Sequence, residues 1–189
     1  MGTMLLCTGG CRSGKSAYAQ KWVEERAANR LYIATAYACD EEMATRIARH
    51  RNDRGEGWTT LETDGELWRE PELLFRAVED RFDVHAQTVH GCEGALLFDC
   101  LTLWTSRCFE KNLSESAILA LAERLFAALV KGGRPVAVVT NEVGMGLVPP
   151  SPQNRAWRDT LGRVNQIAAA KADAVVLMVS GLPLFVKGG

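Results

Sequence analysis

Gly9-Gly10-Cys11-Arg12-Ser13-Gly14-Lys15-Ser16 is the stretch on which the fold turns. It satisfies G-x-x-x-x-G-K-[ST], and it follows a short apolar run, Met4 to Thr8, and opens a helix-period segment, Lys15 to Ala28. That context gives the pattern its meaning. Small residues let backbone N–H groups wrap a phosphate chain, and the start of the helix adds positive potential. Lys15 can then reach the β and γ phosphates of a nucleoside triphosphate, and the Ser16 hydroxyl can meet Mg²⁺.

Working outward, short apolar runs of strand length alternate with helix-period segments to the end of the sequence. The runs Met4 to Thr8, Leu31 to Ala36, Ala95 to Asp99, Pro135 to Thr140 and Ala174 to Ser180 predict strands, with an edge strand at Thr59 to Glu62. Their nearly continuous apolar character suits strands covered on both faces. Helices are predicted over Lys15 to Ala28, Glu41 to His50, Pro71 to Arg81, Glu115 to Lys131 and Ala156 to Ala172. In the fourth, Ile118, Leu121, Leu125 and Leu129 form the buried stripe, and Gly132-Gly133 supplies a left-handed stop. Asp40 is the expected cap of the second. The least regular stretch is Gly144 to Asn154, which contains Pro149-Pro150-Ser151-Pro152. The alternation predicts an α/β fold, a phosphate-loop NTPase with a mostly parallel sheet flanked by helices.

The 189 residues suit one domain spanning 1–189, given a prior of about 150 residues per domain. With 22 Lys+Arg against 23 Asp+Glu the net charge is -1, so a surface that is basic overall and binds nucleic acid is not expected. Any phosphate site must be local. Six cysteines occur, Cys7, Cys11, Cys39, Cys92, Cys100 and Cys108, without a Cys-x-x-Cys pair or a secretory leader. They read as reduced thiols, mostly small core hydrophobes, in a cytoplasmic protein with no membrane segment.

A phosphate loop needs a carboxylate at a neighbouring strand end to orient the magnesium shell. Asp99 fits, and Glu142, after Val136-Ala137-Val138-Val139-Thr140-Asn141, is an alternative. A basic run, Arg46 to Arg54, surrounds His50 with four arginines. It reads either as a solvated helix end or as a second phosphate site, where cationic neighbours keep the imidazole neutral and nucleophilic. His85 and His90 carry no such context. Arg155, Arg158 and Arg163 follow Asn141-Glu142-Val143-Gly144-Met145-Gly146; they bind phosphate or acceptor, or else pair on the surface with Asp159.

Taken together, these residues resemble the bifunctional adenosylcobinamide kinase/adenosylcobinamide-phosphate guanylyltransferases of cobalamin biosynthesis, over nearly the whole chain. The resemblance is carried by Thr8-Gly9-Gly10-Cys11-Arg12-Ser13-Gly14-Lys15-Ser16, Leu31-Tyr32-Ile33-Ala34-Thr35-Ala36, Asp40-Glu41-Glu42-Met43 and Arg46-Ile47-Ala48-Arg49-His50-Arg51. It extends to Thr140-Asn141-Glu142-Val143-Gly144-Met145-Gly146 and to Arg158-Asp159 through Gly162-Arg163-Val164-Asn165-Gln166. It implies a recombinase-like phosphate-loop fold and two reactions. A nucleoside triphosphate, ATP or GTP, phosphorylates adenosylcobinamide. GTP then gives GMP to a histidine, by motif position His50, and the GMP passes to adenosylcobinamide phosphate, forming adenosylcobinamide-GDP. The resemblance also implies nucleotide contacts at Ala34, Thr35 and Ala36, at Arg51, Asn52, Asp53 and Arg54, and at Glu62, and a homo-oligomer, a trimer. Pro150-Ser151-Pro152 replaces the more polar turn usual there, so no acceptor contact is carried over to it. The alternatives are a phosphate-loop kinase without nucleotidyl transfer, and a switch or binding protein that turns over nucleotide without an acceptor.

Overall fold

The computed structural model describes residues 3–36, 41, 54–83 and 94–188. Within them, seven strands form one sheet in the order β3-β2-β4-β5-β1-β6-β7. The strands are β1 (Met4–Gly9), β2 (Arg30–Ala34), β3 (Trp58–Glu62), β4 (Ala95–Asp99), β5 (Val136–Val139), β6 (Ala174–Val179) and β7 (Leu182–Lys187). All neighbours pair in parallel except β6 and β7. The expected phosphate-loop NTPase architecture is therefore present. Its order is the recombinase-like one, because β5 separates the strand that feeds the phosphate loop from the strand that ends in Asp99.

Five helices pack on this sheet among the described residues: α1 (Lys15–Glu24), α2 (Pro71–Asp83), α3 (Leu101–Glu110), α4 (Glu115–Lys131) and α5 (Pro152–Lys171). The last four cover one face, where Leu6, Ile33, Phe98 and Val138 meet Leu74, Trp104, Phe126 and Val164. On the other face α1 lays Ala19, Trp22 and Val23 against Leu5, Cys7, Leu97 and Val139. Alternate strand residues thus face opposite layers, and both are apolar, which is why the strands read as unbroken hydrophobic runs. Each fully buried large side chain contributes about 1.5–3 kcal/mol, so Trp104, Phe98 and Phe126 are the heaviest anchors.

Helix ends follow local chemistry. The Ser114 hydroxyl accepts from the Ala117 N–H at 3.3 Å and starts α4, and Gly133 at φ 70° stops it. At α5 the structure corrects the expected start. Ser151 is the N-cap, accepting from the Asn154 N–H, and Pro152 is the first helical residue, so the supposed irregular proline run is a helix entry. Two elements were not anticipated. The helix α3 begins directly after Asp99 with Cys100 as an N-cap that makes no side-chain bond. The strand β7 returns antiparallel through Ser180 (φ 51°) and Gly181 (φ 85°), the paired positive values of a tight hairpin turn. Pro183 is tolerated because β7 lies at the sheet edge.

The predicted helix Glu41 to His50 lies outside the described residues save Glu41, which is helical and exposed. Among the described residues no helix is long and apolar enough to cross a membrane.

Candidate active site

The C-terminal ends of the parallel strands share one rim of the sheet, and every described site residue predicted from sequence lies on it or just beyond it, apart from Arg54. β1 delivers the phosphate loop, β2 delivers Ala34-Thr35-Ala36, β3 ends at Glu62, β4 at Asp99, and β5 runs into Glu142. Ligands of open α/β sheets bind at this rim.

The loop itself is tightly turned. Ser13 N–H donates to the Gly10 carbonyl at 3.3 Å, and the Lys15 ammonium reaches back to the same carbonyl at 3.0 Å, across the loop it encloses. A Cβ on Gly9 would stand 2.7 Å from the Met178 carbonyl oxygen, so the strand β6 leaves room only for glycine there. Gly14, at φ 93°, turns the chain into α1 and offers no side-chain cap, leaving the first-turn amides of that helix to an anion. The hairpin turn after β6 closes the loop from the side, with Gly181 N–H donating to the Ser13 carbonyl at 3.0 Å. Cys11 and Arg12 are exposed at the tip, Ser13 is buried, and Ser16 is half-buried. Among the described residues the Ser13 hydroxyl has no hydrogen-bond partner, as befits a loop built around a ligand.

Two carboxylates stand on one side of this loop, at the ends of the next two strands, β5 and β4. Glu142 N–H donates to the Gly9 carbonyl at 3.0 Å, which ties its turn to the loop's first residue, and Glu142 Oε1 accepts from the Gly144 N–H at 2.6 Å. The Tyr32 phenol lies close enough to Asp99 to feel its charge. Burial, with the Asp99 charge beside it, pushes the Tyr32 phenol well above its ordinary value, so it remains a protonated donor. The Arg54 guanidinium lies 3.6 Å from the centre of the Tyr32 ring and donates to Thr60 Oγ1 at 3.2 Å. Arg54 therefore bears on Asp99 through Tyr32.

Thr35 is buried and its hydroxyl is used internally. It accepts from the Cys100 N–H at 2.6 Å and donates to the Cys100 carbonyl at 2.8 Å, pinning the turn just after Asp99. The Ala34 carbonyl accepts from the Thr63 amide and hydroxyl, while Ala36 is half-buried and Glu62 exposed. The arginines of α5 are engaged structurally. Arg158 meets Asp159 at 3.0 Å, Arg163 meets Glu115 at 3.0 Å, and Arg155 donates to the carbonyls of Pro149 and Pro150. Of the three, Arg158 alone makes the expected pair with Asp159. His50, Arg51, Asn52 and Asp53, with Arg46, Arg49, His85 and His90, lie outside the described residues.

The Mg²⁺ assignment suits the donors present. Ser16 and Asp99 are hard oxygen donors at the loop rim, and among the described residues no cluster of three or more His, Cys, Asp or Glu could cage a metal by itself. Mg²⁺ is characteristically held by one or two such side chains together with phosphate oxygens and water.

Sequence reading missed Tyr32, Thr102 and the Ser180-Gly181 turn as parts of this site. Each acts across strands or helices, so no local spacing announced it.

A family model described as cobinamide kinase / cobinamide phosphate guanyltransferase matches residues 5–186. The chain belongs to this family. It is 40% identical over 184 residues to the bifunctional adenosylcobalamin biosynthesis protein CobU of Escherichia coli (strain K12), covering 97% of this chain and 99% of that protein. The CobU protein of Salmonella typhimurium is 39% identical over 196 residues, with the same coverage. Among solved structures, a KaiC-like protein from Pyrococcus horikoshii is similar with a TM-score of 0.47 and 14% identity, over 93% of this chain and 70% of that one. Within the cobinamide kinase family, then, the phosphate loop, Asp99 and Glu142 gather at one rim of this chain's sheet.

Proposed function

We propose that this chain is a bifunctional enzyme that phosphorylates adenosylcobinamide and then transfers GMP to adenosylcobinamide phosphate. The observation that carries the reading is the phosphate loop at the end of β1 with Glu142 and Asp99 at the ends of the next two strands along the same rim, in a chain matched to the family over residues 5–186.

In the kinase reaction the loop amides and Lys15 hold the phosphates of ATP or GTP. Ser16 and Asp99 would hold Mg²⁺, which would supply neutralisation of charge on the phosphate oxygens. The aminopropanol oxygen of adenosylcobinamide attacks the γ-phosphorus, the P–O bond to the nucleoside diphosphate breaks, and Glu142 receives the hydroxyl proton. Glu142 suits that task because its turn is bonded to the loop's first residue. In the second reaction an imidazole nitrogen of His50 attacks the α-phosphorus of GTP and pyrophosphate leaves. A phosphate oxygen of adenosylcobinamide phosphate then displaces the imidazole, giving adenosylcobinamide-GDP. Ala34, Thr35, Ala36, Arg51, Asn52, Asp53, Arg54 and Glu62 belong to the same reading as nucleotide contacts, Thr35 through its backbone because its hydroxyl is committed to Cys100. A homo-oligomer completes it, supported by the exposed apolar edge Leu182, Leu184, Phe185 and Val186 of β7.

The deciding experiment incubates the protein with α-labelled GTP and Mg²⁺ and maps the adduct by mass spectrometry. A base-stable, acid-labile GMP on His50, absent in His50→Ala, is expected. An adduct that persists in that variant refutes the histidine assignment.

A further inference from the structure

We infer that Asn165 is a positioning residue for phosphoryl transfer: from α5 it locks the joint between β5 and the turn carrying Glu142, holding that carboxylate's turn in place against the phosphate loop. The inference rests on the kinase reading above. It begins with an anomaly of pattern. Thr160, Leu161, Val164 and Ala168 are the buried residues of α5, and Asn165 stands on the same face, four residues from Leu161 and one from Val164. A polar side chain on such a face costs stability unless its hydrogen bonds are met.

Asn165 meets them on two successive residues. Its Nδ2 donates to the Asn141 carbonyl at 3.1 Å, and its Oδ1 accepts from the Thr140 hydroxyl at 2.7 Å. The carbonyl can only accept, which fixes the amide's orientation and makes Thr140 the donor. Thr140 is fully buried, and its N–H donates to the Cys7 carbonyl at 3.0 Å. From α3, Thr102 Oγ1 accepts the Asn141 N–H at 2.9 Å, and the next residue, Glu142, bonds the Gly9 carbonyl. Three consecutive residues, Thr140 to Glu142, are thereby held by β1, α3, α5 and the phosphate loop at once. The sheet ladder ends at Val139, so beyond it these bonds take over the fixing of the chain. Replacing the amide by Ala frees both partners. Replacing it by Asp opposes a carboxylate to the Asn141 carbonyl.

A group that aims another acts on turnover, and its loss vanishes when the aimed group is gone. The test measures phosphate transfer from ATP to adenosylcobinamide for wild type, Asn165→Ala, Asn165→Asp, Thr102→Val, Glu142→Gln and the Asn165→Ala/Glu142→Gln pair, each checked for folding by circular dichroism. Misplacement of a reacting group by about 1 Å costs on the order of 100-fold, so kcat should fall about 10- to 100-fold in Asn165→Ala. KM for ATP should stay within about threefold. In the Glu142→Gln background the same substitution should change kcat by less than about threefold. Losses that multiply in the double variant, or a rise in KM with kcat retained, overturn the inference. Thr102→Val loosens the same joint from the other helix and must show the same split, so an unfolded Asn165→Ala leaves the question decidable. Wild-type protein that transfers no phosphate to adenosylcobinamide refutes the kinase reading instead.

Discussion

Replacing Thr35 by Val separates a structural threonine from a nucleotide-contacting one. The substitution keeps the side chain's shape, so no cavity opens, and removes only the hydroxyl that spans the Cys100 N–H and carbonyl. The two partners do not suffer equally. The Cys100 carbonyl also accepts from Trp104 N–H at 3.2 Å and stays satisfied, losing one bond worth about 0.5–1.5 kcal/mol. The Cys100 N–H loses its acceptor, at about 1–3 kcal/mol for a donor left unpaired. The sum is about 1.5–4.5 kcal/mol, and at about 2–4 °C per kcal/mol for a chain of this size the melting temperature should fall by about 3–18 °C. Urea melts of wild type, Thr35→Val and Thr35→Ser provide the measurement. Thr35→Ser keeps the hydroxyl and should recover most of the loss. A Thr35→Val protein within about 0.5 kcal/mol of wild type, the range of ordinary surface changes, would refute the reasoning. If nucleotide affinity fell at the same time, the hydroxyl would instead belong to the ligand.

Two further outcomes are expected. Arg134 is nearly buried, paired through both terminal nitrogens with Glu79 and stacked 4.6 Å from the Phe82 ring centre, so Glu79→Ala strands a cation. A loss of about 3 kcal/mol in urea melts should follow, partly recovered by adding Arg134→Met, and a loss below about 1 kcal/mol would refute the pairing's importance. Burial pushes the Cys7 and Cys108 thiols up to about 12, so at pH 8 both are neutral and unreactive, while Cys11 is exposed in the phosphate loop. Iodoacetamide mapped by mass spectrometry should mark Cys11 before Cys7 and Cys108, more slowly with nucleotide present; equal labelling of Cys7 would contradict this. The unfolded chain sheds these protons from about pH 9 and the folded chain only near pH 12, so their contribution to stability is lost as pH rises through that window.

Most of the sheet was legible because both its faces are covered, which turns β1, β4, β5 and β6 into apolar runs. The phosphate loop was legible because its chemistry is local, a few glycines and a lysine within eight residues. The helix α3 was hidden by composition: Thr102, Thr105 and Ser106 interrupt its apolar pattern, and Cys100 gives no capping signal. β7 was hidden by Pro183 and by having every residue exposed, so no alternation of buried and open positions marks it. At the site, Asp99 and Glu142 could be named from strand ends. What holds them could not: Thr35 on Cys100 and Asn165 on Asn141 are bonds between residues far apart in sequence, and Tyr32 comes beside Asp99 from another strand.

The bond from Gly181 to Ser13 bears on the order of assembly. The phosphate loop precedes in the chain, by more than a hundred residues, both the strand that narrows it and the hairpin turn that closes it. A growing chain carries the whole nucleotide signature long before it carries a finished receptor for it. Nucleotide therefore rewards the chain only once β6 and the turn after it have been made and docked, and ligand-assisted stabilisation follows that docking.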